Sequence, residues 1–386
     1  MAERNPRIAL IEPVGGHGGM NYYDYGLANG LYHNGVEVYY YTCDETDKIY
    51  EDKVKTYLYY RKIYNKSINK FRRLLLFVFG AIRSLTHAKV NKIKTAHIHL
   101  FGVEPIDFLH IFLIKLFGFK LTATVHDVES FYLSDKDKWY RNKALNWIDK
   151  FIVHNEICKK ELLESTTVEV SDISVIKHGN YLPFVEPLLS KEEAGKQLGM
   201  PTDKINLLFF GQIKTVKGLD VLLNSLKYLS AEERSKINLI IAGKVWKDTF
   251  ANYQQIIDEN DLNEVCITRI EYIPDEEVHL FYSLADFVVL PYKKIYQSGV
   301  LLMSMSYQKP VIVSDLPAMV DIIKDEENGY VFKTNDTQSL AATISKVIAN
   351  PQRSGDIAQA AIDTVSNEFD WKLIGKKTTE VYHSIL

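Results

Sequence analysis

The chain has 386 residues, 46% of them hydrophobic and 25% charged, with 46 Lys and Arg against 49 Asp and Glu. That length suits two domains with separate cores, and the balance excludes a disordered chain, a fibre and a nucleic-acid-binding polycation. The three cysteines, Cys43, Cys158 and Cys266, form no CxxC pair, which points to a reducing compartment and away from a disulfide frame or a zinc site.

Met1–Asn5 is polar and runs straight into a strand, so no signal peptide is expected. Strands are predicted at Arg7–Glu12, Val36–Thr42, Thr95–Phe101, Leu121–His126, Phe151–His154 and Ile173–Lys177, where short apolar runs are rich in β-branched residues. Helical stretches separate them at Asn21–Asn34, Pro105–Phe117 and Trp139–Lys150. The longest apolar run, Leu74 to Ile82, is far short of the roughly 20 residues that span a bilayer. A cytoplasmic protein, soluble or peripheral on the inner face of the cell membrane, is therefore expected.

A proline-containing linker at Tyr181–Lys191 interrupts the alternation. It resumes with strands at Ile205–Phe210, Ile237–Ala242, Val265–Tyr272, Phe287–Leu290, Val311–Ser314 and Gly329–Phe332, and helices such as Asp220–Leu229 and Glu276–Ser283. Asp370–Leu386 closes the chain as an amphipathic helix, with Trp371, Ile374, Val381 and Leu386 on its apolar side. Strand and helix alternate twice over, which predicts two α/β units with parallel sheets.

Three loops carry candidate chemistry. After the first strand, Gly15, Gly16, Gly18 and Gly19 lead into a helix, so a ligand can approach the backbone and the helix N–H groups without meeting a Cβ. The spacing is not GxGxxG and no acidic residue is placed for a dinucleotide ribose, so a nicotinamide cofactor is not expected. After Phe210, the segment Gly211-Gln212-Ile213-Lys214-Thr215-Val216-Lys217-Gly218 brings two lysines to a strand edge, where they can neutralise a diphosphate. After Leu290, Tyr296-Gln297-Ser298-Gly299-Val300-Leu301 opens an apolar helix with free N–H donors.

These pieces resemble the family 4 glycosyltransferases. The matching stretches are FFGQIKTVKGLDVLL, LIIAGK, YIPDEEVHLFYSLADFVVLPY, SGVLLMSMSYQKPVIVSDLP and DEENGYVF, with IKHGNY closing the first half and FDWKLIGKKTTEVY near the end. The resemblance implies the GT-B fold, an α/β architecture of two Rossmann-like domains with parallel sheets facing across a cleft. An acceptor-binding domain at 1–183 would take back the terminal helix 371–386, and 184–370 would bind a nucleotide-diphosphate sugar. It also implies retention of anomeric configuration without a metal or other cofactor, and the chain has no DxD motif before a strand end. Gly18, Gly19 and Met20 correspond to the family's glycine loop near the diphosphate, and Lys217 to its diphosphate lysine. Ser298, Gly299, Val300 and Leu301 correspond to the phosphate- and ribose-contacting loop, flanked by Tyr296, and His126 to the active-site histidine.

The family's arginine after the strand glycine is here Gln212, with Lys214 nearby to supply charge, and its two glutamates are replaced by Ile295 and Met303. A sugar-nucleotide 2-epimerase of the same fold, or a non-catalytic sugar-nucleotide-binding subunit, would share this plan. His97 and His99 alternate on one strand and point to one face. With no carboxylate or cysteine beside them, a structural or site-lining role is expected rather than a metal site. His126 and His154 sit at strand ends, and Asp127 and Glu129 follow His126 as candidates to orient it. Between Lys53 and Lys94 lie eight Lys and four Arg but no Asp or Glu, with seven tyrosines and phenylalanines interleaved. Such a segment suits an anionic membrane surface, and no nucleic-acid module accompanies it. The acceptor expected from this is a glycan or a lipid-linked glycan.

Overall fold

The computed structural model describes residues 6–16, 19–50, 52–127 and 139–386. The chain divides into two compact units, one formed by 1–179 with 369–386, the other by 180–368.

The first unit is built on a seven-stranded sheet in the order β3-β2-β1-β4-β5-β6-β7. Its strands are β1 (Arg7–Glu12), β2 (Glu37–Cys43), β3 (Val54–Tyr60), β4 (Thr95–Leu100), β5 (Lys120–Val125), β6 (Lys150–Val153) and β7 (Ile173–Val175). Every pairing is parallel. Strands covered on both faces are buried throughout, as at the apolar run Ile8–Ile11 and at Leu121–Val125, where Thr122 and Thr124 are buried among apolar neighbours. Helix α1 (Met20–His33) follows β1, α2 (Lys70–Val90) follows β3, and α3 (Pro105–Leu116) follows β4. The basic segment thus contains an edge strand, β3, that its charge conceals in the sequence, followed by a helix of 21 residues.

The terminal helix Trp371–His383 packs along α1. The crossing is close because glycines face it. A β-carbon at Gly30 would lie 2.0 Å from the Trp371 carbonyl oxygen, and one at Gly375 would lie 2.2 Å from the Gly30 carbonyl carbon. The Trp371 ring fills the space left by Gly26 and Gly179. Trp371, Ile374 and Val381 are buried as expected, whereas Leu386 lies beyond the helix end and is exposed.

The second unit carries a six-stranded sheet in the order β10-β9-β8-β11-β12-β13. The strands are β8 (Ile205–Phe210), β9 (Ile237–Ala242), β10 (Cys266–Arg269), β11 (Phe287–Leu290), β12 (Val311–Ser314) and β13 (Tyr330–Phe332), again all parallel. Its core joins Leu207, Leu239, Val289 and Ile312 of the sheet to Leu222, Ile344 and Ile357 of the surrounding helices. In each sheet the strand order turns at the first strand of the unit: β1 lies between β2 and β4, and β8 between β9 and β11. Open α/β sheets bind ligands outside the carboxyl ends of the strands at such points. Among the described residues no helix is long and apolar enough to cross a membrane.

Candidate functional site

In the second unit the loops after β8 and β11 meet. Gly211 and Gly218 have positive φ, 100° and 69°. Gly218 lies so close to Pro291 that a β-carbon there would stand 1.8 Å from the proline carbonyl oxygen, and the Lys293 N–H donates to Val216 O at 2.9 Å. This contact places the Lys217 Nζ 3.8 Å from the Tyr292 ring centroid, a cation–π arrangement that holds the ammonium at the sheet edge. Lys293 itself is paired with Asp220 at 2.7 Å. Lys214 caps the short 3-10 turn Thr215–Lys217 and is half-buried, while Gln212 is exposed.

The helix Gly299–Ser306 begins beside Gly211, at the end of β8. Ser298 is buried and accepts the Leu301 N–H at 3.1 Å, which leaves the earlier N–H groups of the first turn for a ligand. The Val300 side chain faces Gly211, and the Tyr181 hydroxyl lies where a β-carbon at Gly299 would come within 2.7 Å of it. Tyr296 is half-buried with the Lys294 Nζ 5.4 Å from its ring. Leu301 is fully buried and anchors the helix rather than lining the loop surface. Lys214, Lys217, Ser298, Gly299 and Val300 therefore share one strand-edge region. Tyr292, whose only sequence signal is an aromatic next to a strand end, and Tyr181, the last residue of IKHGNY, border them.

In the first unit Gly19, with φ 83°, precedes the first turn of α1. No atom lies within 4 Å of a β-carbon there, and Met20 is buried. Gly18 lies outside the described residues, as does Glu129.

The carboxyl ends of β4, β5, β6 and β7 carry a row of histidines. His99 Nδ1 stands 3.0 Å from His126 Nε2, and His126 Nδ1 stands 3.4 Å from His154 Nε2. His154 Nδ1 in turn is 3.0 Å from the Ile176 carbonyl oxygen. Burial pushes His99 and His154 down to about 3, and burial with the neighbouring His154 and His99 pushes His126 well below its ordinary value. The row is neutral, and its proton positions follow from its end. A carbonyl only accepts, so His154 Nδ1 carries a proton and its Nε2 is bare. His126 Nδ1 donates to that nitrogen, and His126 Nε2 accepts from His99 Nδ1. The remaining His99 Nε2 is bare and lies 3.0 Å from Asp24 Oδ1, out of line for a hydrogen bond. Two bare acceptors would repel at that distance. A protonated Asp24 removes the conflict, and burial raises its carboxyl well above the usual range. The Tyr40 hydroxyl donates to its other oxygen at 2.7 Å.

His126 is thus oriented by His99 and His154. Asp24 arrives from α1, where nothing in the sequence ties it to the histidines. His97 does share its face with His99, and bonds Tyr382 at 2.5 Å and Thr124 at 2.8 Å.

Residues 190–364 match the family model described as glycosyl transferases group 1, and residues 17–180 that described as glycosyltransferase family 4. A D-inositol 3-phosphate glycosyltransferase of Thermobispora bispora is 22% identical over 329 residues, 81% of this chain and 76% of the relative. A lipopolysaccharide 1,2-N-acetylglucosaminetransferase of Salmonella typhimurium is 27% identical over 193 residues, 48% of this chain and 50% of the relative. Among solved structures, a glycosyltransferase from Rickettsia africae superposes with TM-score 0.75 at 18% identity, covering 99% of this chain and 98% of its own. Anabaena HepE, solved with UDP, gives 0.73 at 15% identity, covering 98% of this chain and 100% of its own. At these identities the likeness is one of fold.

Proposed function

Because the chain belongs to the family 4 glycosyltransferases, with the α/β two-domain GT-B fold, we propose that it transfers a sugar from a nucleotide diphosphate to a glycan or lipid-linked acceptor with retention of configuration. The observation that supports this reading is that the loop bearing Lys214 and Lys217 after β8 and the Ser298-capped helix after β11 lie at neighbouring strand ends, joined by the close approaches of Gly218 to Pro291 and of Gly211 to Val300. Departure of the nucleotide diphosphate builds negative charge, and fixed cations and N–H dipoles stabilise it in place. Lys217 and Lys214 meet the diphosphate, the N–H groups of Gly299 and Val300 meet phosphate and ribose oxygens, and Tyr296 borders the ribose. These groups supply the stabilisation without a metal.

The first unit takes the acceptor in this reading, and His126 orients the transferred sugar. Both its ring nitrogens are already bonded, and the longest link, 3.4 Å to His154, is the one a sugar hydroxyl would replace. The N-terminal end of α1 after Gly19 offers its N–H groups to the donor phosphates. The basic helix α2 holds the enzyme at an anionic membrane surface, since Phe71, Leu75 and Phe79 are exposed among its lysines and arginines. Ile295 and Met303 leave the donor without the family's two carboxylates, so sugar hydroxyls are recognised by other groups.

The test is a panel of nucleotide sugars incubated with the protein in EDTA. The expected result is release of one nucleotide diphosphate and, once an acceptor is found, a product whose anomeric configuration by NMR equals the donor's. Inversion, or epimerised nucleotide sugar without transfer, would overturn the reading.

A further inference from the structure

A cavity of about 750 Å³ opens at the switch point of the first sheet, within the range of about 300–1,000 Å³ typical of small-molecule sites. Its floor is formed by the ends of β1 and β4 and the loops that follow them, and its side by the first turns of α3. Its roof is α2. Lys70, Arg73, Leu74 and Phe77 line it, and their spacing of i, i+3, i+4 and i+7 puts them on one stripe of the helix. The same stripe continues through Ala81, Ser84, Leu85 and Ala88, which are buried in the unit's core. The C-terminal half of α2 is therefore packed down, while its N-terminal half spans an empty space with the same face.

The chemistry of the walls is uneven. Ile11, Leu74, Phe77, Leu100, Val103 and Ile106 make most of the lining apolar. Against them stand Lys70 and Arg73, and the Arg73 Nε is buried without a hydrogen-bond partner among the described residues. The cavity's carboxyl groups do not satisfy it. Of the three that line the cavity, Glu12 accepts the Val14 N–H at 2.7 Å, Asp107 accepts the Glu104 N–H at 2.8 Å, and Glu104 is exposed. Burial raises the Glu12 and Asp107 carboxyls, Asp107 to about 6, which lessens their repulsion of an anion. A buried guanidinium nitrogen left unpaired is costly, and a phosphate oxygen is its best-matched partner.

We infer that this cavity binds an amphiphilic phosphate, with the phosphate on Arg73 and Lys70 and the apolar chain along Leu74, Phe77 and the sheet edge. The other face of the same half-helix agrees with this source, because Phe71, Leu75 and Phe79 are 69%, 53% and 63% exposed in a row. One face of α2 meets an apolar phase while the other roofs the space that receives a chain drawn from it. That this ligand is the acceptor rests on the transfer reaction proposed above.

The experiment is calorimetry on the full chain with decyl phosphate below its micelle concentration, and with inorganic phosphate and decanol separately. Decyl phosphate is expected to bind at least tenfold more tightly than either fragment. Arg73→Ala should weaken it at least tenfold, Arg73→Lys should recover part of the loss, and Arg72→Ala, on the solvent side, should change nothing. Equal binding of inorganic phosphate and decyl phosphate, or equal losses in Arg72→Ala and Arg73→Ala, would overturn the inference. A parallel titration with nucleotide diphosphates separates the two readings. If those bind and decyl phosphate does not, the cavity assignment falls and the transfer reading stands. If decyl phosphate binds and no nucleotide does, the cavity assignment stands without its acceptor role.

Discussion

Gly218→Ala isolates the geometry on which the donor site depends. The residue sits at φ 69°, and its new methyl group would lie 1.8 Å from the Pro291 carbonyl oxygen, where ordinary contact begins at 3.4 Å. The loops after β8 and β11 must therefore part by roughly 1.6 Å, on top of a left-handed backbone penalty of about 1–2 kcal/mol. A misplacement near 1 Å can cost about 100-fold in rate, because Lys217 would move off Tyr292 and away from the Ser298 helix. Gly199→Ala is the control, with φ 67° and nothing within 4 Å of the added methyl. It should cost the same backbone penalty in chemical denaturation and leave donor affinity and turnover untouched. Gly218→Ala should lose more stability than the control, and at least tenfold in both donor affinity by calorimetry and turnover. Equal stability losses, together with donor affinity within twofold of the unsubstituted protein, would show that the close approach of these loops does not build the site.

Lys217→Ala should weaken nucleotide-diphosphate binding by about 2–3 kcal/mol, the usual size of a charge-assisted contact, with the melting temperature little changed. His126→Ala should lower turnover at least tenfold, roughly 1.4 kcal/mol of barrier, with donor affinity by calorimetry kept. Stability should fall with acidity. Burial lowers the pKa values of His97, His99, His126, His154 and His178, the last to about 4. These side chains stay neutral in the fold but take protons in the unfolded chain below about pH 6.5. Each then costs about 1.4 kcal/mol per pH unit as pH falls from there towards its folded value. Asp24 and Glu12, whose pKa values burial raises well above the ordinary carboxyl range, offset part of this as pH falls, because the fold keeps their protons while the unfolded chain holds them ionised down to about pH 4. Thermal melts from about pH 7.5 to 5 should show a steep decline, and a flat profile would refute the neutral histidine row. Finally, the protein should sediment with anionic vesicles but not with neutral ones. The attachment should weaken in 1 M salt, where the Debye length is about 3 Å, and be lost in Phe71→Glu with Phe79→Glu.

Most of the sheet architecture is legible in the sequence because buried parallel strands contain continuous apolar runs, as at Leu207–Phe209 and Leu239–Ala242. Strand β3 is not, since an edge strand needs only one neighbour and its VKTYLYY reads first as charge and aromatics. The loop glycines and Lys217 announce themselves because positive φ and strand-edge cations leave local signatures. Tyr292 under Lys217 and Asp24 beside His99 do not, because each contact joins residues 75 apart in the chain. The orientation of His126 by His99 and His154, rather than by the neighbouring Asp127, depends on strand order, which no single segment contains.

The return of the chain to its first unit at Phe369 has a consequence for synthesis. Residues 180–368 can complete their core as soon as they leave the ribosome. Residues 1–179 cannot, because Trp371 has still to fill the space at Gly26 and Gly179, and Tyr382 has still to meet His97 from 285 positions away. At about 5–20 residues per second, the earlier half waits on the order of ten to forty seconds with its α1 groove open and apolar. During that interval it is a substrate for chaperones and proteases, and a chain released before Phe369 should be folded only in its second part.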